Sequence, residues 1–203
     1  MHVREFHAHY IFIHYGLFEA GTEEDPYTSK LSITMYGKKY TPPMPIYGNK
    51  CIGVRYGTLD MHGVPRSPTW TTLESTAQPG DTEITLHTPV DWQAGEWILI
   101  APTDNSINEI EHRMIAAVLG TVDEPVIQFD PPLSFKHYAA VDMYGDEAFE
   151  QRAEVGLLTR NIQFAGDTST SEENLWGAHI MIHSPGDESS VGRIEYVELH
   201  HVG

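Results

Sequence analysis

One stretch constrains this chain more than any other: Ala153 to Gly166. It opens on the polar Arg152 and Glu154. A small apolar step comes next, Val155-Gly156-Leu157-Leu158, then a turn-like Thr159-Arg160-Asn161. Ile162-Gln163-Phe164 alternates, so Ile162 and Phe164 share one face of a strand while Gln163 faces the other way. Gly166 closes the unit and is expected to supply the positive φ that turns a corner. Related units are Leu17 to Gly21, Leu31 to Gly37, Leu59 to Gly63 and Tyr196 to Gly203. Short strands closed by glycine at coil-like intervals point to stacked coils, as in a parallel β-helix. The glycine intervals are uneven, and spacing alone leaves a glycine-turned β-sandwich open.

The chain has 203 residues, enough for one domain with a full core or for two small ones. Twelve Lys plus Arg stand against 29 Asp plus Glu, a formal charge of −17. That balance argues against nucleic acid or an anionic membrane as the main partner, and against field-driven capture of a polyanionic polysaccharide. Cys51 is the single cysteine, so no internal disulfide can form. In its strand-like run it is expected to be a small buried apolar residue. No run reaches transmembrane length, so no direct membrane insertion by this segment is expected. Met1 to His7 lacks the apolar core of a signal peptide. Strand pattern begins at Tyr10 and the chain stops at Gly203 within another coil-like unit, so both ends read as cut.

In the first region, Tyr10 to Val64, Ser32-Ile33-Thr34-Met35-Tyr36 alternates with Ile33 and Met35 on one face. Pro42, Pro43 and Pro45 force an exposed crossing. From Pro65 to Tyr138 strands are longer and turns more closely spaced, as at Gln78-Pro79-Gly80-Asp81. Ile84 and Leu86 point inward there, with Trp92 and Trp97 as expected core anchors. This regularity predicts a small β-barrel or sandwich inserted between coils. From Val141 the coil pattern returns. Thr168 to Asn174 reads as a polar loop, and Arg193 to His200 as one final strand.

Several blocks carry a resemblance. Gly21 to Tyr27, Pro79 to Leu86 and Val90 to Glu96 resemble the G-eight (eight-glycine, G8) domain. Ala153 to Asn161 and Arg193 to Glu198 resemble the segment after that domain in fibrocystin-L-like proteins. The family contains large cell-surface receptor-like proteins, and hyaluronan-binding and hyaluronan-degrading proteins of the cell-migration-inducing type. The resemblance implies an extracellular β-rich module leading into parallel β-helix repeats. The expected fold is therefore all-β, with right-handed parallel β-helix coils and an inserted small barrel or sandwich. A G8 domain is expected over residues 10–140, with residues 65–138 as the insertion, and 141–203 as the truncated start of the repeats.

The function expected is a scaffold or ligand-binding module of a cell-surface protein, taking an extracellular protein or a glycan. The alternative is a hydrolase acting on hyaluronan or a related glycan. For that reading Arg160 and Asp167 are the candidate catalytic residues. Arg160 is a cation at a corner of an acidic chain, able to hold a sugar carboxylate through a bidentate pair. In the hyaluronan-degrading relatives, a corresponding Arg and a later Asp point to these two positions. A structural Arg and a turn Asp are the competing reading. Asp167 with Glu172 and Glu173 is a candidate calcium site. His7 with His9, His179 with His183, and His200-His201 offer imidazoles that adjacent coils can bring to zinc, although no fixed ligand spacing is present. Glu195 and Glu198 sit three apart on opposite strand faces and do not by themselves make an acid–base pair. Trp70, Trp92, Trp97 and Trp176 are candidate stacking surfaces for sugar rings.

Overall fold

The computed structural model describes Val3–Gly203, all-β apart from one short helix and one 3-10 turn. Met1 and His2, part of the segment read for a leader, lie outside the described residues. Two compact units form: Met1–Pro65 with Arg160–Gly203, and Arg66–Thr159.

In the first unit the strands are β1 (Val3–Ala8), β2 (Tyr10–His14), β3 (Leu17–Ala20), β4 (Lys30–Met35), β5 (Cys51–Arg55) and β6 (Thr58–His62). The second unit supplies β7 (Trp70–Thr72), β8 (Glu83–Thr85), β9 (Trp97–Ile100), β10 (Glu111–Gly120), β11 (Pro125–Phe129), β12 (Ala139–Tyr144), β13 (Glu147–Arg152) and β14 (Glu154–Leu157). The chain then returns to the first unit with β15 (Ile162–Gly166), α1 (Thr168–Asn174), β16 (His179–Ile182), β17 (Val191–Glu195) and β18 (Val197–His200).

Strand order in the first unit is cyclic. Three parallel sheets form, ordered β1-β4-β15-β18, β16-β5-β2 and β17-β6-β3. Each successive trio adds one strand to each sheet. Identical alternation on every strand stacks the inward residues: Phe6 pairs with Ile33, Ile33 with Phe164, and Phe164 with Leu199. Ile33 and Phe164 are fully buried, while Phe6 and Leu199 on the edge strands are about half exposed. The core continues through Ile13, Ile52, Val54, Leu59 and Met61.

Glycine does not make most of these corners. Tyr15, Lys50, Tyr56, Tyr196 and His201 occupy the left-handed region, with φ of 54°, 53°, 53°, 52° and 46°. The corner at Tyr196 splits the expected final strand into β17 and β18, which join different sheets. Gly166 does not supply a positive φ. It is needed for space, because a Cβ there would lie 2.6 Å from the His201 carbonyl and 2.7 Å from Ser171 Oγ. The expected polar loop at Thr168 to Asn174 is α1, a helix of weak helix formers started by its cap at Asp167.

The second unit is antiparallel. Its six-stranded sheet runs β7-β14-β9-β10-β11-β8 and curls until Leu73 and Leu86, just beyond its end strands, bridge one another. Ile84, Leu86, Ile98, Ile100, Ile127, Phe129 and Val155 fill its interior. Trp92 anchors this core, 3% exposed, with its indole N–H donating to the Pro68 carbonyl at 2.9 Å. Trp97 does not. Ile98 and Ile100 occupy the inner face of β9, so alternation turns Trp97 outward, 47% exposed. β12 and β13 form a separate hairpin.

Candidate functional site

Arg160 and Asp167 flank β15 at opposite ends. Six residues of largely extended chain lie between them, roughly 20 Å, so they do not converge on one reacting centre. The Arg160 backbone N–H donates to Glu198 Oε2 at 2.9 Å. Asp167 caps α1: its carboxylate accepts the Thr170 backbone N–H at 2.9 Å, the Thr170 hydroxyl at 2.7 Å and the Ser169 hydroxyl at 3.1 Å. The Thr170 amide and hydroxyl, with the Ser169 hydroxyl and the charge of Lys50, hold the Asp167 carboxyl below the usual aspartate range against the opposing effect of burial.

No sequence signal points to Lys50, yet it is fully buried. Its ammonium donates to Ser171 Oγ at 2.8 Å, Thr170 Oγ1 at 3.1 Å and the Trp176 carbonyl at 3.2 Å. Burial pushes the Lys50 pKa down, and the nearby Asp167 charge partly restores it. Beside it the buried Asn49 accepts the Trp176 indole N–H at 2.9 Å and donates to the Lys38 and Thr41 carbonyls. Trp176 is thereby held as a structural side chain. Ser171 is itself only 5% exposed, so this cluster ties α1 to the strands and offers a substrate no way in.

A second polar row lies on the outer face of the β3-β6-β17 sheet. Asp60 Oδ1 is 2.6 Å from His62 Nε2, and Glu195 Oε2 is 3.4 Å from His62 Nδ1. Arg193 donates to the other Asp60 oxygen at 2.8 Å. His62 and Asp60 are buried, whereas Glu195 and Arg193 are about half exposed. Asp60 bonds one nitrogen of the imidazole, whereas Glu195 stands near the other without a hydrogen bond to it, which leaves His62 Nδ1 buried and unbonded. Glu195 and Glu198 diverge: Glu198 pairs with His200 on β18. The alternation of β6 could have flagged Asp60 and His62 as outward-facing, but their partners come from 133 residues away and left no local mark.

Three of the other candidate histidines each make a single polar contact. His7 meets Glu5 at 3.3 Å, His9 meets the Tyr36 carbonyl at 3.1 Å, and His179 meets the Tyr47 carbonyl at 2.8 Å. Among the described residues no group of three or more His, Cys, Asp or Glu is placed to hold a metal ion, the Asp167, Glu172 and Glu173 set included. Cys51 is fully buried, and burial pushes its thiol pKa up to about 11, which keeps it protonated and unreactive.

The outer face of the β2–β5 pair carries rings. Phe12 stacks on His14, centroids 5.2 Å apart at 17°. Tyr15 stacks on Tyr56, 5.1 Å apart at 14°. Tyr47 packs 5.1 Å from Phe12 and lies over Gly53, where a Cβ would come within 2.8 Å of its ring. The Arg55 guanidinium sits 5.1 Å from the centre of the Tyr56 ring. The second unit carries a cleft of about 770 Å³, lined by Asp104, Glu109, Asp142 and Glu150 with Lys136 and Arg152 among others.

The first unit is a parallel, cyclically ordered β structure with polar and aromatic rows on its outer faces. The G8 domain family matches residues 3–74, and the chain belongs to that family. It is 36% identical to mouse fibrocystin-L over 93% of its length and 33% identical to the human protein over the same share. A G8 domain-containing protein of Dictyostelium discoideum is 31% identical over 97% of the chain. The chain spans about 5% of either fibrocystin-L and 12% of the Dictyostelium protein. Among solved structures, the Gp54 tailspike of Acinetobacter baumannii bacteriophage AP22 aligns with 98% of this chain and 29% of its own, at 14% identity and a TM-score of 0.35, too low to define a shared fold. Among the described residues no helix is long and apolar enough to cross a membrane.

Proposed function

We propose that this chain is a scaffold and ligand-binding module of an extracellular, cell-surface protein of the fibrocystin-L type, taking a glycan or a protein ligand. The observation that carries the reading is the cyclic strand order, β1-β2-β3, β4-β5-β6, then β15-β16-β17, each trio feeding the same three sheets. On this reading the trios are successive coils of a right-handed parallel β-helix, and the curled sheet of Arg66–Thr159 is a small barrel inserted after the second coil. Such a stack holds side chains from distant sequence in fixed rows on a long outer face. The similarity to fibrocystin-L across 93% of the chain supports the cell-surface placement.

The hydrolase reading draws on one observation, the Asp60–His62–Glu195 row. A glycosidase needs two carboxylates across a cleft that admits the substrate, and Asp60 is buried here beneath its own pair with Arg193. Asp167 is committed to the cap of α1. Fluorescently labelled chain is expected to bind intact cells saturably, with glycosidase or protease pretreatment revealing the ligand class. High-molecular-weight hyaluronan incubated with the chain is expected to keep its length. Shortening that Glu195→Gln or Arg160→Ala abolishes would replace the module reading with the hydrolase one. Absence of saturable cell binding would sink the module reading.

A further inference from the structure

The ring cluster on β2 and β5 is costly as pure scaffold. Tyr15 is 74% exposed and Phe12 42%. Contiguous exposed apolar surface of this kind marks an interaction site more often than chance. Tyr15 and Tyr56 also occupy the left-handed region, φ 54° and 53°, where a residue with a Cβ costs about 1–2 kcal/mol. They occupy equivalent corners, one after β2 and one after β5, which pair in register from Tyr10 with Cys51 to His14 with Arg55. Asn or Gly would fill those corners at less cost. Both positions hold a phenol instead, and the two phenols stack.

The geometry points to a stacking platform for the pyranose rings of an uncharged oligosaccharide, formed by Phe12, His14, Tyr15 and Tyr56 with Arg55 at its margin. The inference rests on the ligand-binding reading and names its site and ligand class. A pyranose has a flat C–H face and hydroxyls around its rim. Two near-parallel pairs, Phe12 with His14 and Tyr15 with Tyr56, are inclined to one another by 59–67°, so each pair can meet the face of a separate pyranose, and the phenol hydroxyls, His14 and Arg55 suit the rim. Phe12 and Tyr15 are three residues apart, roughly 10 Å of strand, so the platform meets more than one ring of a linear glycan. Charge selects against the rivals. With 29 acidic and 12 basic residues, the chain repels polyanions, so the phosphates of a single-stranded nucleic acid and the carboxylates of a uronate polymer are both disfavoured. Arg55 over the Tyr56 ring occupies the place a ligand cation would take, and with Tyr15 stacked on Tyr56 the more exposed Tyr15 and Phe12 are the rings a sugar meets, Tyr56 supporting Tyr15 from behind. A proline-rich peptide, which also docks on aromatic grooves, is the remaining competitor and becomes an arm of the test.

Saturation-transfer NMR and calorimetry on the full chain decide it, using chitohexaose, cellohexaose and xylohexaose beside a hyaluronan hexasaccharide and a decaproline peptide. Tyr15→Asn and Tyr56→Asn remove a ring while keeping a residue that tolerates the left-handed corner. Trp70→Ala, which removes an exposed ring in the second unit, is the control. At least one neutral hexasaccharide is expected to bind. Its Kd is expected to rise about tenfold or more in each tyrosine variant, as loss of a stacked ring implies, and to stay within about twofold in Trp70→Ala. The inference is overturned if no neutral hexasaccharide binds, if hyaluronan or decaproline binds more tightly, or if the tyrosine variants bind as the unaltered chain does. The same variants in the cell-binding assay separate the two claims. Saturable cell binding that survives both tyrosine substitutions removes this site and leaves the module reading standing. Absence of cell binding by the unaltered chain removes the reading itself.

Discussion

The most buried charge of each unit is held in an opposite way. In the second, Glu111 is 4% exposed and surrounded by donors. It accepts the Ser134 backbone N–H at 2.9 Å and the Phe135 N–H at 3.1 Å, approaches His137 Nε2 at 3.0 Å and pairs with Arg113. Burial raises its pKa, but the Ser134 amide, His137, the Phe135 amide and Arg113 together hold it below the ordinary glutamate range. In the first unit Lys50 is buried against three neutral oxygens, and its pKa falls. The antiparallel unit fastens its loops with a compensated ion cluster. The parallel unit relies on stacked apolar columns, uses its buried cation to tie down α1, and keeps a second buried charge, Asp60, paired with Arg193. The cleft of the second unit is lined by four carboxylates, while the stacked Phe12–His14 and Tyr15–Tyr56 pairs lie in the first.

The contrast can be broken by mutation, and the largest effect is expected at Glu111. Glu111→Ala leaves Arg113 and His137 buried without their anion and should destabilise the second unit by about 3–5 kcal/mol. Urea unfolding monitored through its tryptophans would measure this. The sign with pH comes from the lowered pKa. The contribution of Glu111 is fully present above the unfolded glutamate value, near pH 4.3, and is lost as pH falls through the lower folded value. Acid should therefore erase the difference between Glu111→Ala and the unaltered chain.

Gly53→Ala comes next. The added methyl meets the Tyr47 ring at 2.8 Å, so the ring must shift, at about 1–3 kcal/mol. The resulting loss in melting temperature should come with a changed Phe12–Tyr47 contact in NMR spectra. Asp167→Ala removes the α1 cap and should cost about 1 kcal/mol, an effect present above about pH 4 and lost below it, because the folded pKa is depressed. Lys50→Met should be smallest, within about 1.5 kcal/mol, since a shape-matched apolar chain replaces a cation at a costly site. Loss as large as that of Glu111→Ala would show that both units depend equally on buried charge, and the comparison would fail.

Much of this is legible in the chain. Alternation places Ile33, Met35, Ile84 and Leu86 inside, and all four are buried. Trp92 is readable as an anchor because a turn on either side fixes it. Trp97 is not, because its inward neighbours Ile98 and Ile100 decide the face, and an aromatic residue next to them reads the same in either orientation. The corners are hidden because Tyr15, Lys50, Tyr56 and Tyr196 take a conformation that composition assigns to glycine. α1 is hidden because Thr, Ser and Asn favour loops until a cap and a partner 121 residues away hold them. At the candidate sites, Arg160 and Asp167 are near in sequence but lie at opposite ends of an extended strand. Asp60, His62 and Arg193, or Phe12, Tyr15 and Tyr56, are distant in sequence and neighbours in the stack. Local patterns find the strands, whereas which side chains become neighbours depends on the register between them.

Hydrogen exchange on the full chain, with and without the neutral hexasaccharide that binds best, tests the central claim most directly, because it asks which unit holds the ligand. The account predicts added protection in residues 10–16 and 51–57, carried by β2, β5 and the two tyrosine corners, with none in the second unit. Protection confined to residues 103–109, 134–138 and 150–152, which line the acidic cleft, would contradict it.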